Sequence, residues 1–382
     1  MPRPLHLIDT ITCHVAGHWA FVEVTTDQGL TGIGEATYFT HPTAVAAIVP
    51  DLLPAYRGQD AFRPEYLFNR VIKKHCLRDA AAMAALSAID QALWDIKGKA
   101  LGVPVWQLLG GKVRDRVRAI LLVEGPSRDD LVAKAVAARD EGFTALKIKP
   151  FLEGWGRLGH ARALRDVVAN VAAVREAIGW DIDLAVEVHR NLTPDQAVTF
   201  ADAVRPLMLY FIEDAILPYS IDANNHMSAA MRSPSATAER QTNIFEFRET
   251  SDAHAVSILR PDIGLAGGFT QLRKIAAIAE SRHQRIVPHN FTAPVSTAGH
   301  IQLAACTVNW DVQGYVREDR APWTDVVDRI NTLKDGFLEI PDRPGIGMAL
   351  NREYLAGARY VPFGDSVGHT ATLGMDGGVR LL

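Results

Sequence analysis

Cysteine is scarce: the 382 residues include only Cys13, Cys76 and Cys306. Three widely spaced thiols, an odd number, cannot build a zinc ribbon or a disulfide framework, and they suit a reducing compartment. An excess of positive charge is missing as well. The sequence has 40 Lys and Arg against 44 Asp and Glu, for a net charge of −4. That leaves no basic footprint for nucleic acid and no polybasic patch for a membrane surface. No apolar stretch reaches the length of a bilayer span. The opening MPRPLHLIDTITCHV lacks a basic segment followed by an apolar run. These absences predict a cytoplasmic protein with no nucleic-acid or membrane partner. Repeats, low-complexity tracts and long linkers are not evident either.

What is present is a soluble, enzyme-like composition, 48% hydrophobic and 22% charged. The length exceeds one ordinary domain and suits a barrel plus a smaller domain. Residues 1–40 alternate apolar and polar positions around an Asp27-Gln28-Gly29 turn, which predicts antiparallel strands. Gly29, Gly32 and Gly34 resemble a nucleotide fingerprint only loosely, because they sit in a hairpin and precede no clear helix. From about 43 to 109 the pattern is helical. Ala84, Ala88, Ala92 and Ile96 recur at helical spacing and form a small-residue face that packs closely.

From Val117 onward, short apolar strands alternate with amphipathic helices. Strands are expected near 117–123, 145–150, 183–189, 209–214, 236–240, 256–262, 285–289 and 310–315. Helices are expected over stretches such as 127–142, 166–179, 193–204 and 268–282. Thr193-Pro194-Asp195 is a strong helix start, with a hydroxyl cap and Pro at the first turn. Eight strands separated by helices argue for a closed parallel TIM-like barrel. An open doubly wound sheet is the alternative, and it explains charges at many successive strand ends less well. The predicted division is 1–115 as an α+β domain and 116–349 as the barrel, with 350–382 returning to pack on the first domain.

The charges end the strands. ALKIKP closes on Lys147 and Lys149, LAVEVH on Glu187 and His189, YFIED on Glu213, ATAER on Glu239, SILRPD on Asp262 and RIVPHN on His289. Glu187, Glu213 and Glu239 are spaced 26 residues apart, about the length of one strand, loop, helix and return. In such a barrel the active site lies at the carboxyl ends of the strands. Residues two apart on a strand point to the same side, which pairs Lys147 with Lys149 and Glu187 with His189. Three carboxylates from adjacent strands would supply hard oxygen ligands suited to Mg²⁺; the other reading is three ion pairs with neighbouring Lys and Arg. Asp262 beside His289 would fix the imidazole tautomer and raise its basicity. Lys149 is a second candidate base, Lys147 could orient a carboxylate or tune Lys149, and His189 is a candidate general acid. His14, His18, Trp19, Tyr38 and His41 could reach over the barrel mouth, although each also reads as an ordinary surface or core residue.

With these motifs the chain resembles the mandelate racemase/muconate-lactonising branch of the enolase superfamily. The likeness spans nearly the whole sequence and rests on AIDQALWDIKGKALGVPVWQLLGG, Lys147-Ile148-Lys149, EVHRNLTPDQA, FIEDA, ERQTNIFEFRE, RPDIGLAGGFTQLRKIAAIAE and VPHNFTAPVSTAGHIQLAA. The resemblance implies an N-terminal capping domain, a (β/α)7β barrel, a Mg²⁺ ion on Glu187, Glu213 and Glu239, and a His289–Asp262 dyad. Superfamily sites use a Lys or His base with Mg²⁺ stabilising an ene-diolate. EVHRNLTPDQA is similar to sugar-acid dehydratases of mannonate and galactonate type, which places His189 as the acid. The Lys-x-Lys pair is instead similar to members that work with both Lys and His.

Three departures stand out. Glu187 replaces the usual Asp, Ala215 stands where Pro commonly follows, and Gly314 stands where the dehydratases carry Glu after Gln. Glu318 is nearby but four residues on, so the role is not transferred to it. The expected function is a Mg²⁺-dependent acid-sugar dehydratase acting on a small carboxylate, and the resemblance also implies a homo-oligomer. The alternatives are a racemase or epimerase using Lys149 and His289, and a catalytically impaired barrel with a binding role.

Overall fold

The computed structural model describes residues 5–38, 41–75, 79–361 and 373–378. The chain opens with an antiparallel sheet, β1 (Ile8–Ala16), β2 (Trp19–Thr26) and β3 (Thr31–Ala36), in that order. Gly29 takes a left-handed φ of 75° in the β2–β3 turn, the conformation glycine adopts without steric cost. Helices α1 (Pro42–Tyr56), α2 (Pro64–His75), α3 (Ala80–Leu101) and α4 (Val105–Leu108) follow. Helix α3 begins on Asp79, whose side chain accepts from the Ala82 amide, and ends on left-handed Gly102. Its predicted small-residue face lies against β3. A Cβ at Gly34 would stand 2.1 Å from the Ala88 carbonyl oxygen, and one at Gly32 would stand 2.1 Å from that of Ala92. The glycines therefore serve sheet-on-helix contact.

The second region alternates strand and helix: β4 (Arg116–Val123), α5 (Arg128–Asp140), β5 (Ala145–Ile148), α6 (His160–Ile178), β6 (Asp183–Glu187), α7 (Pro194–Val204), β7 (Ile212–Glu213), α8 (Ile221–Ala230), β8 (Ser235–Thr237), α9 (Ile244–Asp252), β9 (Ile258–Leu259), α10 (Gly268–Ser281), β10 (Arg285–Ile286), α11 (Pro294–Cys306) and β11 (Gln313–Tyr315). Strands β4 to β10 pair in parallel in sequence order, and β11 returns to pair with β4. A parallel bridge from Ile286 to Trp310 joins the other end, so the pairing path meets itself. Ile120, Ala145, Ala185, Phe211, Ala236, Ile258, Val287 and Val312 form one buried cluster, with one residue from each strand or the residue beside it. Past β11 come α12 (Trp323–Val326), β12 (Leu333–Lys334), β13 (Phe337–Glu339) and α13 (Arg352–Gly357), with β13 antiparallel to β4.

Helix starts follow the caps in the sequence. Thr193 and Gln196 form a reciprocal capping box on α7, and Ser127 and Asn243 cap α5 and α9. Two expectations need correction. Helix α6 starts at His160 rather than near 166. The regular strands are shorter than predicted, with β8 stopping at Thr237 and β10 at Ile286. The chain leaves the ladder just where its charges begin: His189, Arg190, Asp214 and Ala238 all take left-handed φ values, between 42° and 89°. Single backbone bonds, such as Arg190 N to Asp214 O at 2.7 Å, carry the pairing onward.

The two regions meet through α3. Ser87 Oγ accepts from Gly267 N at 2.8 Å, Asp90 Oδ2 accepts from Thr270 N at 2.9 Å, and Trp94 Nε1 donates to Thr270 Oγ1 at 3.0 Å. Ser87 and Asp90 of a buried helix thus supply acceptors to amides at the start of α10 that would otherwise be unsatisfied. After α13 the chain reaches the first sheet: Gly17 N donates to Arg359 O and Val361 N to Gly17 O, at 2.9 and 3.1 Å. The rest of the predicted C-terminal return, 362–372 and 379–382, lies outside the described residues, as does Cys76. Among the described residues no helix is long and apolar enough to cross a membrane.

The close approach of β3 to α3 is testable. Gly34→Ala should destabilise the fold by about 2–3 kcal/mol, the scale of overpacking a tight core. Urea unfolding would show this as a lower midpoint, and an unchanged midpoint would mean that the sheet can move off the helix at no cost.

Candidate active site

The left-handed turns bring the strand-end charges together. His289 Nδ1 lies 2.7 Å from Asp262 Oδ2, and both residues are buried. The other oxygen, Asp262 Oδ1, accepts from Gly264 N at 2.7 Å and from Thr37 Oγ1 at 2.9 Å. A carboxylate on Nδ1 assigns the proton to that nitrogen and leaves Nε2 with its lone pair. Nε2 lies 3.5 Å from Glu239 Oε2.

The three glutamates are buried, and each is met by a cation. Lys147 Nζ donates to Glu187 Oε2 at 2.9 Å and to Glu213 Oε1 at 2.6 Å. Arg260, fully buried, reaches Glu213 Oε1 at 2.9 Å. Arg190 and Arg240 reach Glu239 Oε1 at 2.8 and 3.2 Å. Burial alone would discharge Lys147, but Glu187 and Glu213 hold it charged. Burial, reinforced by the charge of Glu187, pushes Glu213 well above the usual carboxylate range. Glu187 is held well below that range: burial opposes its charge, and Lys147 and a hydrogen bond from Glu213 overcome it. Glu239 is also held low: burial opposes its charge, and His289 in its charged form, together with Arg190 and Arg240, outweighs it.

Two sequence expectations are placed differently. His189 and Glu187 do not share a strand face, because β6 ends at Glu187 and His189 turns left-handed with φ 56°. The His189 backbone amide caps Glu187 Oε1 at 3.0 Å, and its Nε2 sits 2.6 Å from Arg190 Nη2. Burial, aided by Arg190, lowers the imidazole to about 3, which leaves it a neutral acceptor. Lys149 forms an ion pair with Glu124 at the end of β4, apart from the Lys147 pairs.

A cavity of about 640 Å³ opens beside His289. Its lining includes His18, Trp19, Thr37 and Tyr38 from the first region, Leu121 to Glu124, Phe291 and Thr292, and Val316, Arg317, Arg320 and Trp323. Of the N-terminal candidates, His18, Trp19 and Tyr38 thus reach the mouth, and His14 and His41 are not in the lining. Trp19 stacks edge-on against Trp323 with centroids 4.0 Å apart. Arg190, Arg260, Glu124 and Thr37 belong to the site and were not anticipated. Arg190 and Arg260 each stand within two residues of a predicted site residue, which is the signal that could have found them.

The donor chemistry fits a hard divalent cation in kind. Burial and the neighbouring Glu187 push Glu213 well above the usual carboxylate range, and its Oε2 is buried without a hydrogen-bond partner, an oxygen that a cation could take up. Among the described residues no three His, Cys, Asp or Glu side chains form a ready metal cluster. Glu239 is drawn instead to Arg190 and Arg240.

Comparison with known proteins shows the family. Residues 2–110 match the family described as mandelate racemase / muconate lactonizing enzyme, N-terminal domain, and residues 130–354 match the enolase C-terminal domain-like family. A D-galactonate dehydratase of Verminephrobacter eiseniae is 34% identical over 349 residues, covering 89% of this chain and 91% of that protein. One from Variovorax paradoxus is 32% identical, covering 92% and 94%. Among solved structures, an enolase from Agrobacterium radiobacter, provisionally a galactarate dehydratase and bound to Na and L-malate, superposes with a TM-score of 0.91. It is 27% identical, with 98% of this chain and 99% of that one covered.

The eighth-strand departure has a structural reason. A Cβ at Gly314 would stand 2.8 Å from the Pro288 carbonyl oxygen, and Asn290 Nδ2 donates to the Gly314 carbonyl at 2.9 Å. Backbone and amide fill the space a longer side chain would need. Glu318 is fully buried, with Thr297 Oγ1 on one oxygen and Asn331 Nδ2 on the other. Burial pushes its carboxyl up to about 7 from 4.5. A raised folded value means that its stabilising contribution is full below about pH 4.5 and is lost as pH rises through about 7. Glu318→Gln should therefore flatten the fall in unfolding free energy across that window, measured by urea titration at a series of pH values. Parallel wild-type and variant curves would contradict the assignment.

Proposed function

The chain belongs to the mandelate racemase / muconate lactonizing enzyme family, and from that premise we propose that it is a Mg²⁺-dependent acid-sugar dehydratase. The parallel strands are read as a (β/α)7β barrel and the N-terminal sheet and helices as its cap. The observation that carries the reading is the Asp262–His289 dyad, buried at one end and opening on the cavity at the other.

His289 Nε2 is the base that takes the proton from the carbon next to the substrate carboxylate, with Asp262 holding Nδ1–H and stabilising the resulting imidazolium. The same proton can then pass to the departing β-hydroxyl, which leaves as water. Loss of H from one carbon and OH from the next gives an enol, which tautomerises to a 2-keto-3-deoxy acid. Glu187 and Glu213 would hold the cation, and Glu239 would join them if freed from Arg190 and Arg240. When bound, Mg²⁺ would supply the positive charge that offsets an ene-diolate. The Arg190 contact of His189 favours His289 over His189 as the acid. The Lys149–Glu124 ion pair favours dehydration over a two-base racemisation, because racemisation needs Lys149 to accept a proton on the opposite face.

A second reading, a barrel that binds acids without turning them over, is favoured by one observation: Arg190 and Arg240 occupy Glu239. Mg²⁺ calorimetry separates the two, since saturable binding supports the dehydratase and no heat supports the binder. Incubation with a panel of aldonic and aldaric acids should yield a 2-keto product from at least one. His289→Asn should lower turnover of that acid by about 10²–10⁴ and leave Mg²⁺ binding intact. Undiminished turnover would remove His289 from the mechanism.

A further inference from the structure

The dyad is not built by the strand ends alone. Thr37 follows β3 in the N-terminal sheet, is buried, and belongs to the cavity wall that also holds His289. It is fixed at two points. Its backbone N–H donates to the Gly264 carbonyl at 2.9 Å, and its hydroxyl donates to Asp262 Oδ1 at 2.9 Å. Gly264 N donates to the same Oδ1 at 2.7 Å. The three residues form a closed hydrogen-bonded ring. The ring is tight: a Cβ on Gly264 would stand 2.4 Å from Thr37 Oγ1 and 2.7 Å from Thr37 N. Two donors on one carboxylate oxygen fix the rotation of the group, which turns Oδ2 toward His289 Nδ1. One of those donors comes from the other region of the molecule, 225 residues away in sequence.

We infer that Thr37 is a positioning residue for the His289 base: its hydroxyl aims the Asp262 carboxylate, so the dyad is complete only when the N-terminal sheet is seated on the strand ends. Thr37 does not exchange a proton with substrate. It restricts Asp262 to the orientation in which the imidazole keeps its Nδ1 proton and presents Nε2 to the cavity. The inference rests on the reading of His289 as the base, and its test has one arm that needs no substrate.

That arm is the downfield proton NMR signal of an imidazole N–H bonded to a buried carboxylate, assigned by its absence in His289→Asn. The wild type should show it, Thr37→Val should broaden or lose it, and Thr37→Ser should keep it. In the kinetic arm, Thr37→Val should lower kcat about 10- to 100-fold with KM within about twofold, and Thr37→Ser should recover most of the loss. Equal stability of the three proteins by thermal melting excludes a folding cause, and Thr37→Ser carries the test if the Val variant does not fold. A wild-type signal and wild-type kcat in Thr37→Val would overturn the inference, as would a Ser variant as impaired as the Val variant. If the wild type shows the signal but dehydrates no acid, the functional reading fails while the positioning role is still decided by the spectrum.

Discussion

The arrangement of the strand ends depends on one constraint: carboxylates withdrawn from water must be neutralised. Glu187, Glu213 and Glu239 are each almost fully buried. An uncompensated charge in such a setting is costly enough that the group gives up its charge or acquires a partner. Both outcomes occur here. Burial pushes the Glu213 carboxyl well above its usual range, and Lys147, Arg260, Arg190 and Arg240 supply the partners. The same need explains the backbone. The chain leaves the ladder at left-handed residues such as Arg190 and Ala238, which lets neighbouring side chains converge on one point.

Much of this was legible in the sequence because it is local. Strand order, helix caps at Ser127 and Thr193, the small-residue face of α3 and the Asp262–His289 pairing follow from periodicity, spacing or turn chemistry. What escaped was set across the fold. Strand parity placed His189 beside Glu187, but parity holds only while the chain stays extended, and it does not at φ 56°. Arg190 and Arg260 gave no signal of their own, since an arginine after a strand is ordinarily solvated. Glu124 and Thr37 are positioned by contacts from β4 and β3 that no linear pattern encodes. Gly314 reads in the sequence as a missing acid; the structure adds that a Cβ there would stand 2.8 Å from the Pro288 carbonyl oxygen, a contact no linear pattern encodes.

Helix α3 ties these levels together. On one side it accepts the glycines of β3, and on the other it supplies Ser87, Asp90 and Trp94 to α10. Gln91 bonds both Glu35 and Ile263 backbone groups, and Asp95 takes the amides of Ile33 and Ile346. The sheet that carries Thr37 is therefore held at a fixed height above Asp262 by a rigid, nearly fully buried rod.

The cluster of Ile120, Ala145, Ala185, Phe211, Ala236, Ile258, Val287 and Val312 fills the inside of the ring of strands with side chains. That interior is therefore packed protein and no passage. The cavity beside His289, walled in part by Trp19, Phe291 and Trp323, lies outside that packed interior and is open to a small molecule.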